Sequence, residues 1–87
     1  MEFEFDAAKS SSTKMKHDID FVTAQSLWSD ASRLEIAANS LDEPRSQVLG
    51  TIGGRVWSAF ITHRNEKIRI ISVRRARGNE EKLYYGR

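Results

Sequence analysis

At 87 residues, with 39% hydrophobic side chains and no cysteine, the chain has room for one small domain with a thin core, and it excludes a disulfide framework or a thiolate metal site. The net charge of +2 conceals a polarity: residues 1–43 carry four basic and nine acidic side chains, residues 44–87 ten and three. That distribution suits an anionic ligand on one face, and equally a solvated basic face.

No apolar run approaches the roughly 18 residues of a membrane span. The acidic start Met1-Glu2-Phe3-Glu4-Phe5-Asp6 lacks the basic and apolar regions of a signal peptide, so a cytoplasmic protein is expected. Residues 2–5 alternate polar and aromatic side chains, a short strand with Phe3 and Phe5 facing inward. Asp6 suits the N-cap of a helix over residues 7 to about 16, with Ala8, Ser12 and Met15 as its inward positions. Lys14, Lys16 and His17 fall at its C-terminal end, where cations suit the helix dipole, and Asp18 stands at the position of a left-handed cap. Asp20 caps a second helix, from residue 21 to about 28, that buries Phe21, Ala24, Leu27 and Trp28.

Leu34 and Ile36 alternate with Arg33, Glu35 and Ala37 as in a half-buried strand. Residues 39–45 are polar, hold the only proline and read as a loop. Strands over 46–52 and 55–62 follow, joined at Gly53-Gly54, a hairpin signal because both residues tolerate positive φ. Asn65-Glu66 is a second tight connection, and a short helix spans about 79–85 with Glu80 and Glu81 in its first turn. The predicted order β-α-α-β-β-β-β-α makes a single α+β domain: a small antiparallel sheet with two N-terminal helices on one face and a short C-terminal helix.

Residues 64–77 hold six Lys or Arg against one acid, interleaved with Ile and Val. The run is β-branched enough for a strand and cationic enough to meet phosphates. Side chains alternate along an unbroken strand, so Arg69 and Arg74 are expected on opposite faces unless a bulge intervenes, while Arg64 and Arg74 share a parity. The same arginines would also serve merely to solubilise an edge strand.

The pattern over nearly the whole chain resembles the BrnT family, toxins of type II toxin–antitoxin systems with a RelE-like ribonuclease fold. The family's opening stands here as Phe3, Phe5, Asp6, Lys9, Lys16, His17, Ile19 and Phe21, followed by Ala24, Trp28 and Asp30, then Glu43, Arg45 and Gly50. The most specific part stands as Thr62, Arg64, Ile68, Arg69, Ile70, Ile71, Ser72, Arg74, Ala76, Glu80 and Tyr84. Phe5 replaces the usual Trp, Thr13 a common Asn and Asp18 the Gly after His17. Arg77 replaces a helix-capping Thr, which moves the expected cap of the last helix to Gly78 or Asn79. The resemblance implies a toxin that cleaves RNA and halts translation until its antitoxin binds. It also implies a partner with a ribbon-helix-helix DNA-binding domain, through which alone the chain reaches operator DNA.

Metal-independent RNA cleavage needs a base for the 2′-hydroxyl, cations for the developing phosphorane and an acid for the leaving 5′-oxygen. Arg64 and Arg74 are the natural cations, since a guanidinium fork binds phosphate oxygens bidentately. Glu80 and Tyr84 are i and i+4 on the last helix, hence on one face. Glu80 offers a base or a salt bridge to Arg74; Tyr84 offers a proton, a stacking surface or plain packing. His17 is a possible acid or base, although the helix end alone accounts for it. Lys9, Lys16, Arg69 and Arg75 are candidate RNA contacts, or a solvated face. Trp57, Phe60, Tyr84 and Tyr85 supply aromatic surface for a base or for the antitoxin. No histidine–carboxylate spacing resembles a metal ligand set, and no cofactor is expected. The rival function is a non-catalytic RNA-binding or co-repressor module that uses the same arginines without turnover.

Overall fold

The computed structural model describes residues 1–38 and 43–87, so most of the expected 39–45 loop lies outside the described residues. Asp6 begins the first helix by accepting hydrogen bonds from the Ala8 and Lys9 N–H groups at 2.8 and 3.2 Å. Asp18 ends it in the left-handed region, φ 59°, its N–H donating to the Lys14 carbonyl at 3.0 Å. Asp20 caps the next turn through the Thr23 N–H at 2.7 Å. The elements are β1 (Glu2–Phe5), α1 (Ala7–His17), α2 (Phe21–Ala24), β2 (Leu34–Ala38), β3 (Arg45–Ile52), β4 (Arg55–Arg64), β5 (Lys67–Arg75) and α3 (Gly78–Tyr85).

The second helix is shorter than its apolar pattern predicts. After one turn α2 tightens into a 3-10 segment, Gln25–Ser29, which presses Leu27 against β3. The approach is so close that a Cβ on Gly50 would stand 3.0 Å from Leu27 Cδ2. The last helix is capped at Arg77 rather than Gly78 or Asn79. A guanidinium cannot accept a hydrogen bond, so only half of a capping box forms, with Glu80 Oε1 accepting from the Arg77 N–H at 2.8 Å.

The strands form one sheet in the order β1-β5-β4-β3-β2. Hairpins at Gly53-Gly54 and Asn65-Glu66, all four residues at positive φ, join β3, β4 and β5 antiparallel, and β2 pairs antiparallel with β3. β1, however, lies parallel to β5, so the sheet is mixed and the expectation of a purely antiparallel one is corrected. No turn links these two strands; the intervening helices and strands leave β1 free to enter in either direction.

Phe60 stands opposite Ser72 but Ile61 opposite Ile70, so Ile71 is an extra residue, a β-bulge. It reverses the side-chain alternation of β5. Ile68, Ile70 and Val73 face one side with Ile19, Phe21, Ala24, Leu27, Val48, Ala59 and Ile61, the main core. A smaller cluster of Leu49, Val56 and Tyr84 lies where α3 covers part of the other face. In α1 the buried side chain is Ser10, while Ala8, Ser12 and Met15 are exposed, a correction to the expected inward positions. The Ser10 hydroxyl accepts the Phe21 N–H at 2.9 Å, a polar demand at the start of α2 that an apolar side chain would leave unmet. Trp28 is only half-buried, packed edge-on against Phe3 at 4.9 Å.

Candidate functional site

Opposite the main core, alternate residues form rows across the sheet. One row is Arg74, Ser58, Leu49 and Leu34; the next is Ser72, Phe60, Gln47 and Ile36. Arg69 stands beside Thr62, and Arg45 beside Ala38, on the same face. Because the bulge falls between them, Arg69 and Arg74 share this face, and the unbroken-strand expectation that separated them is corrected.

Arg74 is the best-anchored cation of this face. Its Nη1 and Nη2 donate to Glu80 Oε1 and Oε2 at 2.8 and 2.9 Å, a bidentate pair with side chains only 22% and 12% exposed. Glu80 Oε2 also accepts from Gln47 Nε2 at 2.6 Å, and that nitrogen donates in turn to the Ser58 hydroxyl at 2.7 Å. The Arg74 fork, helped by the Arg77 N–H and Gln47, holds the Glu80 carboxyl at about 2 against its partial burial. The same pairing raises Arg74. Glu80 is therefore ionised and fully engaged at neutral pH, which makes it a positioning group for Arg74 and a poor resting base.

Next to Arg74, the face of α1 carrying Lys9, Ser12, Thr13 and Lys16 (spacing i, i+3, i+4, i+7) borders a groove of about 460 Å³. His17 also lines it, and Ile71, Ser72, Val73 and Arg74 form the opposite wall. Three of the cationic or imidazole candidates, Lys9, Lys16 and His17, thus meet Arg74 across one cleft. An imidazole can take up or release a proton near neutral pH, ammonium groups hold phosphate, and a guanidinium supports charge developing on its oxygens.

Other candidates stand elsewhere. Arg64 closes the β4–β5 hairpin, where it pairs with Glu43 at 3.0 Å. The residue opposite Arg74 is Ser58, which lies roughly 20 Å from Arg64 along β4 at a strand rise of about 3.3 Å per residue. Arg69 pairs with Glu4 at 2.9 Å and ties β1 to the sheet. Arg75 points to the opposite face, its Cζ 5.6 Å from the Trp57 ring centroid. Tyr84 is buried between Leu49 and Val56, and its hydroxyl donates to Asp30 Oδ2. Thr51 joins them, its N–H and hydroxyl reaching the same carboxylate oxygen at 2.9 and 3.1 Å. Burial is the largest influence on the Asp30 carboxyl and pushes it up, but the hydrogen bonds from Tyr84, Thr51 and Ser32 together bring it down to about 2. Tyr84 is raised, first by the bond to Asp30 and then by burial. A tyrosine so placed clamps α3 onto the sheet.

Sequence reasoning missed Gln47, and it named Lys9, Lys16 and His17 without reading them as one face of α1. The parity of Gln47 with its cross-strand partner Phe60 was the available signal for the former. Nothing in the apolar pattern of α1 pointed to the latter.

No helix among the described residues is long and apolar enough to cross a membrane. No curated protein matches the chain in sequence. The profile of a family described as ribonuclease toxin, BrnT, of type II toxin-antitoxin system matches residues 5–80. That span takes in Lys9, Lys16, His17, Arg74 and Glu80 and leaves out Tyr84. By this match, over most of its length and across the whole of the basic cleft, the chain belongs to the BrnT family of type II toxin–antitoxin ribonuclease toxins.

Proposed function

We propose that the chain is a RelE-like, metal-independent endoribonuclease that arrests translation in the cytoplasm by cutting RNA. The observation that carries this reading is the cleft that sets Arg74 against Lys9, Lys16 and His17. His17 takes the proton of the 2′-hydroxyl, whose oxygen attacks the adjacent phosphorus. Arg74, aligned by Glu80, stabilises the phosphorane, with Lys9 and Lys16 on the flanking phosphates. The 5′-oxygen leaves with a proton from the imidazolium or ammonium groups of the groove, giving a 2′,3′-cyclic phosphate and a 5′-hydroxyl. A cognate BrnA-type antitoxin, carrying a ribbon-helix-helix domain, covers the basic face and supplies the only link to operator DNA.

Purified protein in excess chelator should cut free or ribosome-bound RNA to these termini. Arg74→Ala and His17→Gln should each lower the rate by about 100-fold or more. Intact RNA in both settings would overturn the proposal. One observation favours the second reading, a non-catalytic RNA-binding or co-repressor module: both Nη atoms of Arg74 are already engaged by Glu80. In that case Arg74→Ala weakens RNA binding in a salt-dependent way, with no turnover to lose.

A further inference from the structure

Resting on this reading of the chain as an RNA-cutting protein, we propose that Phe60 and Arg45 form a nucleobase subsite beside the phosphate groove, and that it takes guanine. Phe60 is half-buried at the middle of the open sheet face and belongs to neither apolar cluster, so core packing does not account for it. Its cross-strand neighbours are polar, Ser72 on β5 and Gln47 on β3. The Arg74 guanidinium lies over the ring, Cζ 5.4 Å from the centroid, which couples it directly to the phosphate site.

The ring also lines a second cleft, of about 490 Å³, together with Ala38, Arg45, Gln47, Ile71 and Ser72. That volume is in the range of small-molecule pockets, about 300–1,000 Å³. Ile71 and Ser72 line both this cleft and the α1 groove, so the two sites share a wall. A phosphate held by Arg74 in one places the neighbouring base in the other.

Arg45 defines the base. Arg69 and Arg74, on the same face, are each paired with a carboxylate, whereas no ion pair among the described residues engages Arg45. Its Nε is buried without a hydrogen-bond partner. An unmet buried donor is unfavourable, and a ligand acceptor that draws the guanidinium into the cleft relieves it. Guanine offers two adjacent acceptors, O6 and N7, that match a guanidinium fork; adenine places an amino donor beside N7. Phe60 supplies the stacking surface that such a base needs.

The test is binding of the full chain to 2′-O-methyl hexanucleotides, which cannot be cut, carrying one central guanine, adenine, cytosine, uracil or 7-deazaguanine. Wild type should prefer guanine by about 10-fold, and 7-deazaguanine should lose most of that preference. Phe60→Leu should weaken binding of every oligonucleotide by roughly 10-fold. Arg45→Lys should abolish the preference. Equal binding of all bases by wild type overturns the subsite, a result that needs no variant to fold. So does an Arg45→Lys protein that binds every sequence more weakly while keeping the guanine preference, the behaviour of a plain phosphate contact. All-ribose versions run in parallel separate the two readings. Guanine preference with no cleavage of these or of ribosome-bound RNA supports the subsite and overturns the catalytic proposal; cleavage without guanine preference does the reverse.

Discussion

Tyr84 and Glu80 share a face of one short helix, yet their surroundings give them different work. The Tyr84 hydroxyl is committed to Asp30 inside a small apolar cluster, so its value is to stability. Tyr84→Phe should leave RNA cleavage within about threefold of wild type. It should lower unfolding free energy by about 1–2 kcal/mol in urea titrations, since Asp30 keeps its Thr51 and Ser32 partners. Glu80 carries a pH dependence whose sign is set by its depressed carboxyl. The unfolded chain, with an ordinary glutamate near ~4.3, binds the proton before the folded chain, whose value is about 2. The stabilisation from the Arg74 pair is thus complete above about pH 5 and is lost as pH falls toward about 2. Urea midpoints should fall between pH 5 and pH 3 in wild type and fall less in Glu80→Gln. At pH 7 that variant should be less stable by on the order of 2–3 kcal/mol, because a largely buried guanidinium loses its counter-charge. A variant whose pH profile parallels wild type would show that the pair contributes nothing.

At the level of elements, α1 turns a polar stripe toward β5 and satisfies its buried side through one hydroxyl. Ser10→Ala would strand the Phe21 N–H at the start of α2 and should cost about 1–2 kcal/mol. Met15→Gln, at a residue 89% exposed, should change stability by less than about 0.5 kcal/mol. Thermal or urea unfolding of the two variants side by side checks both. The low amphipathicity of Ala-Lys-Ser-Ser-Ser-Thr-Lys explains why the sequence misidentified the buried face: with few apolar residues, the pattern carries little orientation. The strands were easier to place, because alternation of Ile and Val with Arg and Ser has only two possible phases. The bulge at Ile71 then reversed that phase within β5, and no local residue signals it: the mismatch appears only when β4 lies alongside.

Across the whole molecule, the sheet separates a closed face from an open one. The helical side buries the main core; the other side is half covered by α3 and leaves Arg74, Phe60 and Arg45 beside open clefts. Cations away from those clefts should matter little to cleavage. Arg64→Ala, at the hairpin end, and Arg75→Ala, on the opposite face, should each keep activity within about fivefold of wild type, against a loss of about 100-fold for Arg74→Ala. Single-turnover rates on one RNA check the order. Local chemistry was enough to announce the caps at Asp6, Asp18 and Asp20, both hairpins, the concentration of positive charge near the C-terminal end and the family pattern itself, because each depends on neighbours a few residues apart. The choice among chemically equivalent arginines was not local. Arg64, Arg69, Arg74 and Arg75 differ in which carboxylate reaches them, which side of the bulge they occupy and which helix faces them. Those differences arise from pairings between distant segments, Glu4 with Arg69 and Gln47 with Glu80, that come into being only when the sheet and its helices close.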